Sequence, residues 1–455
     1  MPPATARDRI RPLGELSVAS MLAFDYKVRT FQRKPTHYLL LATFFFIAFL
    51  PCARAQVHSV LCSDGDGTFQ ATLFTKVDVH VGATKKGPLA VRSCEAILSW
   101  ENQKLVVASD LPALDLDAFG VDLGLGSPVA AFQLKTAKTD CCMTYKIYSL
   151  QKPPKLISTL TGGSFFAAAD TDLDGRVEVW TDDAAAVNGI DNLTLAELDF
   201  APPVVLRFDK AKLLDVSAEF ADDFDKRIKK VRSELNSKDV QDFKSSDGRL
   251  RSSDPSQSDQ IHHLRGIKIK ILEIVWCYLY SGRDAEAWHS LDEMWPTADV
   301  SRIRELLTRA QATGIRTQVD GALAGTPDKK LAEKKTVKVY EPTTTIAQVS
   351  QGSNPWQTSE VNYDQVSESI MPPLPIMMRS FLHTNGADSG QPQSELTVSL
   401  VIDSAGKVRS VVPVGNTPLN NINLLDALSE WKFVPAYKGH HPVASDSMKI
   451  LSFQQ

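Results

Sequence analysis

The sequence predicts a multidomain chain: an N-terminal all-β domain, a central all-α domain and a C-terminal α+β domain. Three observations carry this. The 455 residues exceed what one ordinary core organises, so two to four domains are expected. Apolar residues alternate at a period of two up to about residue 209, and at helical spacing from about 210 to 318. Residues 319–371 are mixed Lys-, Thr-, Ser-, Gln- and Pro-rich text, the composition of a linker, and period two then returns in residues 372–455.

The first 55 residues stand apart. Lys27, Arg29, Arg33 and Lys34 precede a thirteen-residue apolar run, 38–50 (YLLLATFFFIAFL), followed by Pro51 and the small-residue site Ala53-Arg54-Ala55. That is the layout of a secretory signal peptide cleaved before Gln56, with Met21 as an alternative start. Lipidation at Cys52 is disfavoured by Pro51. An uncleaved anchor would be short, since thirteen helical residues span only about 20 Å of a roughly 30 Å hydrocarbon core. The expected location is the periplasm or cell envelope. Export permits disulfides, and the mature chain keeps Cys62, Cys94, Cys141, Cys142 and Cys277. The odd count leaves one thiol free or paired between molecules, and the first four allow up to two bridges.

Within residues 56–209, Leu73, Thr75, Val77, Val79 and Val81 line one face of a strand. Residues 89–100 and 104–109 form a hairpin about Glu101-Asn102, and 145–150 and 177–180 are further short strands. An antiparallel sandwich or part of a propeller-like sheet fits, with no internal repeat visible. From 210 to 318, Phe220, Phe224, Ile228 and Val231 mark one helix and residues 245–258 a polar loop. Ile269, Leu272, Trp276 and Tyr280 mark a buried helix stopped at Gly282, and 284–295 and 300–314 are two more. Tyr278, Gly282, Ala287 and Leu291 resemble half of a tetratricopeptide repeat. A single copy cannot stack, so a plain helical bundle is expected. Within the linker one strand is expected at Thr336–Tyr340.

The tail is the most informative segment. Leu396, Val398, Leu400 and Ile402 alternate, residues 403–406 supply turn chemistry, and Val408 begins a returning strand. Leu424, Leu425, Leu428 and Trp431 recur at helical spacing before KFVPAYKG and a last strand ending in MKILSF. This order, with its IDSAGKV hairpin and a helix running into Trp431-Lys432-Phe433, resembles the TonB C-terminal domain family. The resemblance implies a periplasmic α+β unit that grips an envelope or outer-membrane protein by adding one of the partner's strands to a sheet edge, in connection with transport across the membrane. The edge expected here is the last strand, at Met448, Ile450 and Phe453. Energy-transducing members keep an uncleaved N-terminal helix and a long Pro-rich span. Here the N-terminus reads as cleavable and the intervening residues as folded, which favours docking over energy transduction.

The clearest ligand motif is residues 170–178, DTDLDGRVE. Oxygen ligands at positions 1, 3 and 5 and Gly at 6 wrap the backbone round a hard cation, but Thr181 stands where an EF-hand needs Glu. A carboxylate at position 9 instead resembles the calcium loops of FG-GAP and VCBS repeats. That resemblance implies calcium held by Asp170, Asp172, Asp174 and Glu178 with the Arg176 carbonyl, in a structural role. The competing reading is an Asp-rich turn that binds no ion.

A net charge of −4 gives no footprint for nucleic acid. No nucleophile elbow, zinc-protease motif or phosphate loop appears, so no catalytic residue is nominated. The adjacent histidine pairs His262-His263 and His440-His441 have no third ligand. The expected function is therefore an exported docking protein. An unrecognised periplasmic hydrolase or a binder of envelope polymers is the alternative.

Overall fold

The computed structural model describes residues 68–72, 75–84, 93–136, 141–251, 258–322, 336–340, 344–347, 356–358, 361–362, 370–379, 395–414 and 427–454. The candidate signal peptide, Gln56, Cys62 and residues Leu424–Leu425 lie outside them. The architecture is mixed: helices together with several largely antiparallel sheets.

Three successive four-stranded antiparallel meanders form the first half. They are β1–β4 (Thr68–Thr72, Asp78–Thr84, Ser93–Trp100, Gln103–Leu111), β5–β8 (Ala113–Val121, Val129–Lys135, Met143–Ser149, Lys155–Thr161) and β9–β12 (Phe166–Ala169, Glu178–Asp182, Pro203–Asp209, Lys212–Asp215). The topology recurs although no repeat is visible in the sequence. A period-two pattern fixes which side chains face inward but not their identity, so a repeated meander need not leave repeated sequence. Val77, Val79 and Val81 are fully buried as expected, and the hairpin turns at Glu101–Asn102, but the strand expected through Thr75 starts at Asp78, with Thr75 in the turn before it and Leu73 outside the described residues. The third sheet also runs past the expected boundary at 209, since β12 pairs with β11 from Lys212 to Asp215.

Among the described residues five α-helices follow: α1 (Ala221–Ser233), α2 (Ser237–Lys244), α3 (Ser258–Tyr280), α4 (Asp284–Met294) and α5 (Val300–Gln311). α1 turns Phe224, Ile228 and Val231 inward, as their spacing predicts. α3 is apolar on most sides because it is surrounded. Trp276 and Tyr280 are each 1% exposed, and the helix ends just before Gly282. The helices share one continuous core with the second and third meanders, joining Ile147, Phe166 and Leu206 to Leu272, Leu291 and Leu307. Each fully buried side chain of this kind contributes about 1.5–3 kcal/mol relative to exposure.

The segment read as a linker is a series of short strands attached to distant sheets. β13 (Gly321–Ala322) extends the third meander beside β12. β14 (Thr336–Tyr340), the strand expected there, and β15 (Thr344–Ala347) lie parallel to the last strand. β16 (Trp356–Thr358) pairs with β19 (Leu374–Arg379), and β17 (Val361–Asn362) lies parallel to β1. β18 (Ile370–Met371) pairs with β23 (Ala436–Lys438).

In the tail, β20 (Glu395–Ile402) and β21 (Val408–Pro413) form the predicted hairpin, and a helical turn at 427–429 leads into β22 (Lys432–Val434). β24 (His441–Gln454) closes the sheet against β20. Val398, Leu400, Ile402, Leu428, Trp431 and Phe433 make its core. A second core runs from β2–β7 into the tail through Ile376, Val434 and Tyr437.

The expected partner edge needs correction. β24 is bonded on both sides: Met448 opposes Ser399 of β20 and Tyr340 of β14, Ile450 opposes Thr397, and Phe453 opposes Ile346 of β15. The residues of the presumed linker occupy the side that tail periodicity alone left open.

Candidate metal centre and the turn that covers it

β9 and β10 pair with Ala169 opposite Glu178, so residues 170–177 form the loop between their joined ends. The loop is shaped by its own carboxylates. Asp170 Oδ1 accepts the Asp174 N–H at 3.0 Å, and Asp170 Oδ2 accepts the Gly175 N–H at 3.1 Å. Asp174 Oδ1 accepts the Arg176 N–H at 2.7 Å. Gly175 holds a φ of 86°, a left-handed backbone that glycine adopts without penalty. One carboxylate oxygen from each of Asp170, Asp172 and Asp174 lies within 4.8 Å of the others. The structure thus brings together three of the five predicted ligands.

Glu178 is used differently. It is buried, and its Oε1 takes both Arg207 Nε and a terminal nitrogen of that guanidinium at 2.8 Å. Its Oε2 is buried without a hydrogen-bond partner among the described residues. The Arg176 side chain turns back onto Asp174, with Nε 2.6 Å from Oδ2. Glu178 thus lies outside the cluster of three aspartates, paired through Oε1 with a buried arginine at the register-adjacent position of β11. Burial pushes the Glu178 carboxyl up to about 8, with Arg207 opposing. Burial likewise pushes Asp170 up to about 7, against the Ser404 hydrogen bond and with help from Asp403, Asp172 and Asp174. Asp172 is raised by burial and by Asp174. Crowded, desolvated carboxylates favour a counter-cation, and an all-oxygen donor set suits a hard divalent ion such as calcium. The three aspartates fit such an ion, with the rest of a six- to eight-oxygen shell left to carbonyls or water.

The IDSAGKV turn is buried against this loop. Asp403, Ser404 and Ala405 are at most 1% exposed. Asp403 organises the turn through Oδ1, which accepts from Ala405 N at 2.9 Å and Lys407 N at 2.8 Å. Its Oδ2 accepts Arg409 Nε at 2.7 Å and the backbone N–H of Asp170 at 3.1 Å. Ser404 Oγ donates to Asp170 Oδ2 at 2.7 Å. The candidate metal loop and the tail hairpin thus share a ligand residue. Gly406 lets the turn press against β22: its φ is 76°, and a Cβ there would fall 1.9 Å from the Phe433 carbonyl oxygen.

Next to it, Lys407 enters the body of the protein. Its Nζ donates to Asp117 Oδ1 at 2.7 Å and to the Asp117 carbonyl at 2.6 Å. Asp117 Oδ2 in turn accepts Tyr145 OH at 2.6 Å and Ala168 N–H at 2.7 Å, so both oxygens of this buried carboxylate are satisfied. Burial pulls the Lys407 ammonium below the usual lysine range while Asp117 opposes. Burial and Asp117 hold the Tyr145 phenol well above its usual value. Lys432 Nζ reaches Asp115 Oδ2 at 2.5 Å, and Tyr437 OH donates to the Gly120 carbonyl. β5 therefore presents Asp115, Asp117 and Gly120 to the tail in series. Sequence reading missed this array. The available signal was the pair of aspartates in the otherwise apolar run ALDLDAFGV, where burial demands a partner.

Among the described residues Cys141 is bonded to Cys142, Cys94 is disulfide-bonded, and Cys277 is free, buried and raised in pKa by that burial. No helix among the described residues is long and apolar enough to cross a membrane. No family model, no curated protein and no solved structure matches the chain.

Proposed function

We propose that the chain is an exported cell-envelope protein that docks a partner protein by strand addition at β21, the meanders and helices serving as the mount for the α+β tail. The observation that carries this reading is the state of β21. Among the described residues it is hydrogen-bonded to β20 alone, and it exposes Val412 (54%), with Val414 (38%) just past its end. An edge strand is a template for another chain; a bulge at Arg409, and Pro413 at the far end, blunt part of β21, and the regularly paired stretch from Ser410 to Val412 is the edge left to a partner. Strand addition draws affinity from main-chain hydrogen bonds and selectivity from alternate side chains, which suits an extended segment of an envelope or outer-membrane protein.

Two further features support it. The TonB-like order of the tail suggests docking. The Lys407–Asp117 and Lys432–Asp115 contacts fix that tail to the body, unlike an arm swinging on a long span. Calcium at Asp170, Asp172 and Asp174 would stiffen the loop against which the tail hairpin rests, a structural role and not a catalytic one.

A photocrosslinking residue at Val412, expressed in the native host, tests the edge. The expected result is an adduct with one envelope protein that Val414→Lys suppresses, while the same probe at Val106 on β4 gives none. An adduct indifferent to Val414→Lys, or none at all, overturns the assignment. Mature protein that begins elsewhere than at Gln56 and fractionates with the cytosol would overturn export. For calcium, chelation should lower Tm by several degrees in the wild type and leave Asp172→Ala unmoved, since saturation at a hundred times Kd stabilises by about 2.7 kcal/mol. A wild-type Tm indifferent to chelator would sink the bound-ion reading.

A further inference from the structure

On the helical side, away from the metal loop, three segments distant in sequence meet round a cavity of about 70 Å3: the turn at 190–193, the loop at 247–251 and the face of α3 that carries Arg265 and Lys268. The walls are held in place. Asp247 Oδ1 accepts the Arg249 and Leu250 N–H groups at 2.9 and 2.8 Å and sets the loop. Gly248 is pressed onto Asp299, whose Oδ2 would lie 2.7 Å from any Cβ there, and its carbonyl accepts Lys268 Nζ at 2.9 Å. Lys268 is 2% exposed, reaches Asp191 Oδ2 at 2.5 Å and stands 5.8 Å over the Trp295 ring. Three non-glycine lining residues, Asp191, Asn192 and Leu250, hold φ values of 48°, 60° and 54°. Left-handed backbone costs about 1–3 kcal/mol per residue and gathers at ligand sites.

The charge inventory gives the sign of the ligand. Arg249, Arg251, Arg265 and Lys268 line the cavity against a single carboxylate, Asp191. That carboxylate is already shared between Lys268 and Arg302, the latter at 2.6 Å. Arg265 meets Glu197 at 3.3 Å and Arg249 meets Asp299 at 3.8 Å, but both guanidinium side chains are 42% and 53% exposed, where ion pairs are weak. Among the described residues Arg251 has no carboxylate partner. Guanidinium forks match the geometry of phosphate oxygens, and a buried lysine adds a fixed point charge.

We propose that this cavity binds a phosphoryl group, held by Arg251 and Arg265 over the buried Lys268. The group comes either from inorganic phosphate or from a phosphate ester such as a glycerophosphate headgroup. The site does not depend on the docking edge or on the metal loop.

Isothermal titration of the full mature protein with inorganic phosphate, then with glycerol 3-phosphate at matched ionic strength, tests it. Saturable phosphate binding is expected, weakened at least about tenfold by Arg251→Ala and by Arg265→Ala and unchanged by Arg309→Ala on the exposed side of α5. Both variants remove exposed side chains, and their phosphate-free Tm should match the wild type, which separates lost binding from lost folding. Tighter binding of the ester assigns the headgroup as ligand, and equal or weaker binding assigns the free ion. No saturable heat at millimolar concentrations of either ligand, or binding that both variants leave intact, overturns the proposal.

Discussion

Replacing Lys407 by methionine tests whether the tail hairpin is fastened to the body by the charge it buries. Methionine keeps most of the volume and the flexible stem, so the change isolates the ammonium group. In the wild type Nζ makes two contacts, to Asp117 Oδ1 at 2.7 Å and to its carbonyl at 2.6 Å. Removing one partner of a buried pair costs about 3–5 kcal/mol, chiefly because the remaining charge is uncompensated. Asp117 would keep the Tyr145 hydroxyl and the Ala168 N–H, so the lower end, about 3 kcal/mol, applies. Urea unfolding followed by circular dichroism measures the loss, and Asp117→Asn completes a double-mutant cycle. With both charges gone the double variant should lose about 2 kcal/mol less than the sum of the singles. A Lys407→Met protein within about 0.5 kcal/mol of the wild type, or an additive cycle, refutes the assignment of this pair as the fastening.

Two other outcomes follow from the same geometry. Gly406→Ala places a Cβ 1.9 Å from the Phe433 carbonyl oxygen at a φ of 76°, so it should destabilise by at least about 2 kcal/mol; a thermal melt at the wild-type midpoint would sink that. Asp182 is pushed up to about 6 by burial, despite hydrogen bonds from the Ser164 N–H and hydroxyl. Its folded pKa lies above its unfolded value, so its contribution is complete below about pH 4 and lost as pH rises through 6, by about 3 kcal/mol. Asp182→Asn should flatten the stability profile across that window, and an unchanged slope in urea titrations from pH 4 to 7 would show that another group sets it.

Much of the fold is written locally. The full burial of Val77, Val79 and Val81, the inward face of α1 and the core role of Trp431 and Phe433 all follow from spacing. Spacing reveals which face is buried but not what covers it. Nothing local to Lys407 points to Asp117, 290 residues away, and the cost of leaving each charge alone is what selects the other. The strands β15 to β17 were illegible for a different reason. They are two to four residues long and paired through backbone groups that every residue carries. The candidate metal loop shows both limits. Its spacing predicted the convergence of Asp170, Asp172 and Asp174, while the pairing of Glu178 with Arg207 depended on β11, 29 residues on.

The burial of the IDSAGKV turn bears on how a partner can be engaged. With β24 bonded on both flanks and the turn end held by Asp170 and Asp117, the described tail strands leave β21 as the open flank of β20. A strand added there would extend a sheet whose other members are already anchored, so a pull on it would be carried to the Lys407–Asp117 pair and the candidate metal loop. Lys407→Met separates the two readings of such a tail. If it weakens folding but leaves the Val412 adduct intact, the pair is only a mount. If the adduct is lost while β20–β21 remains folded, the seating of the turn sets the geometry of the edge, and docking at β21 is coupled to the loop at Asp170.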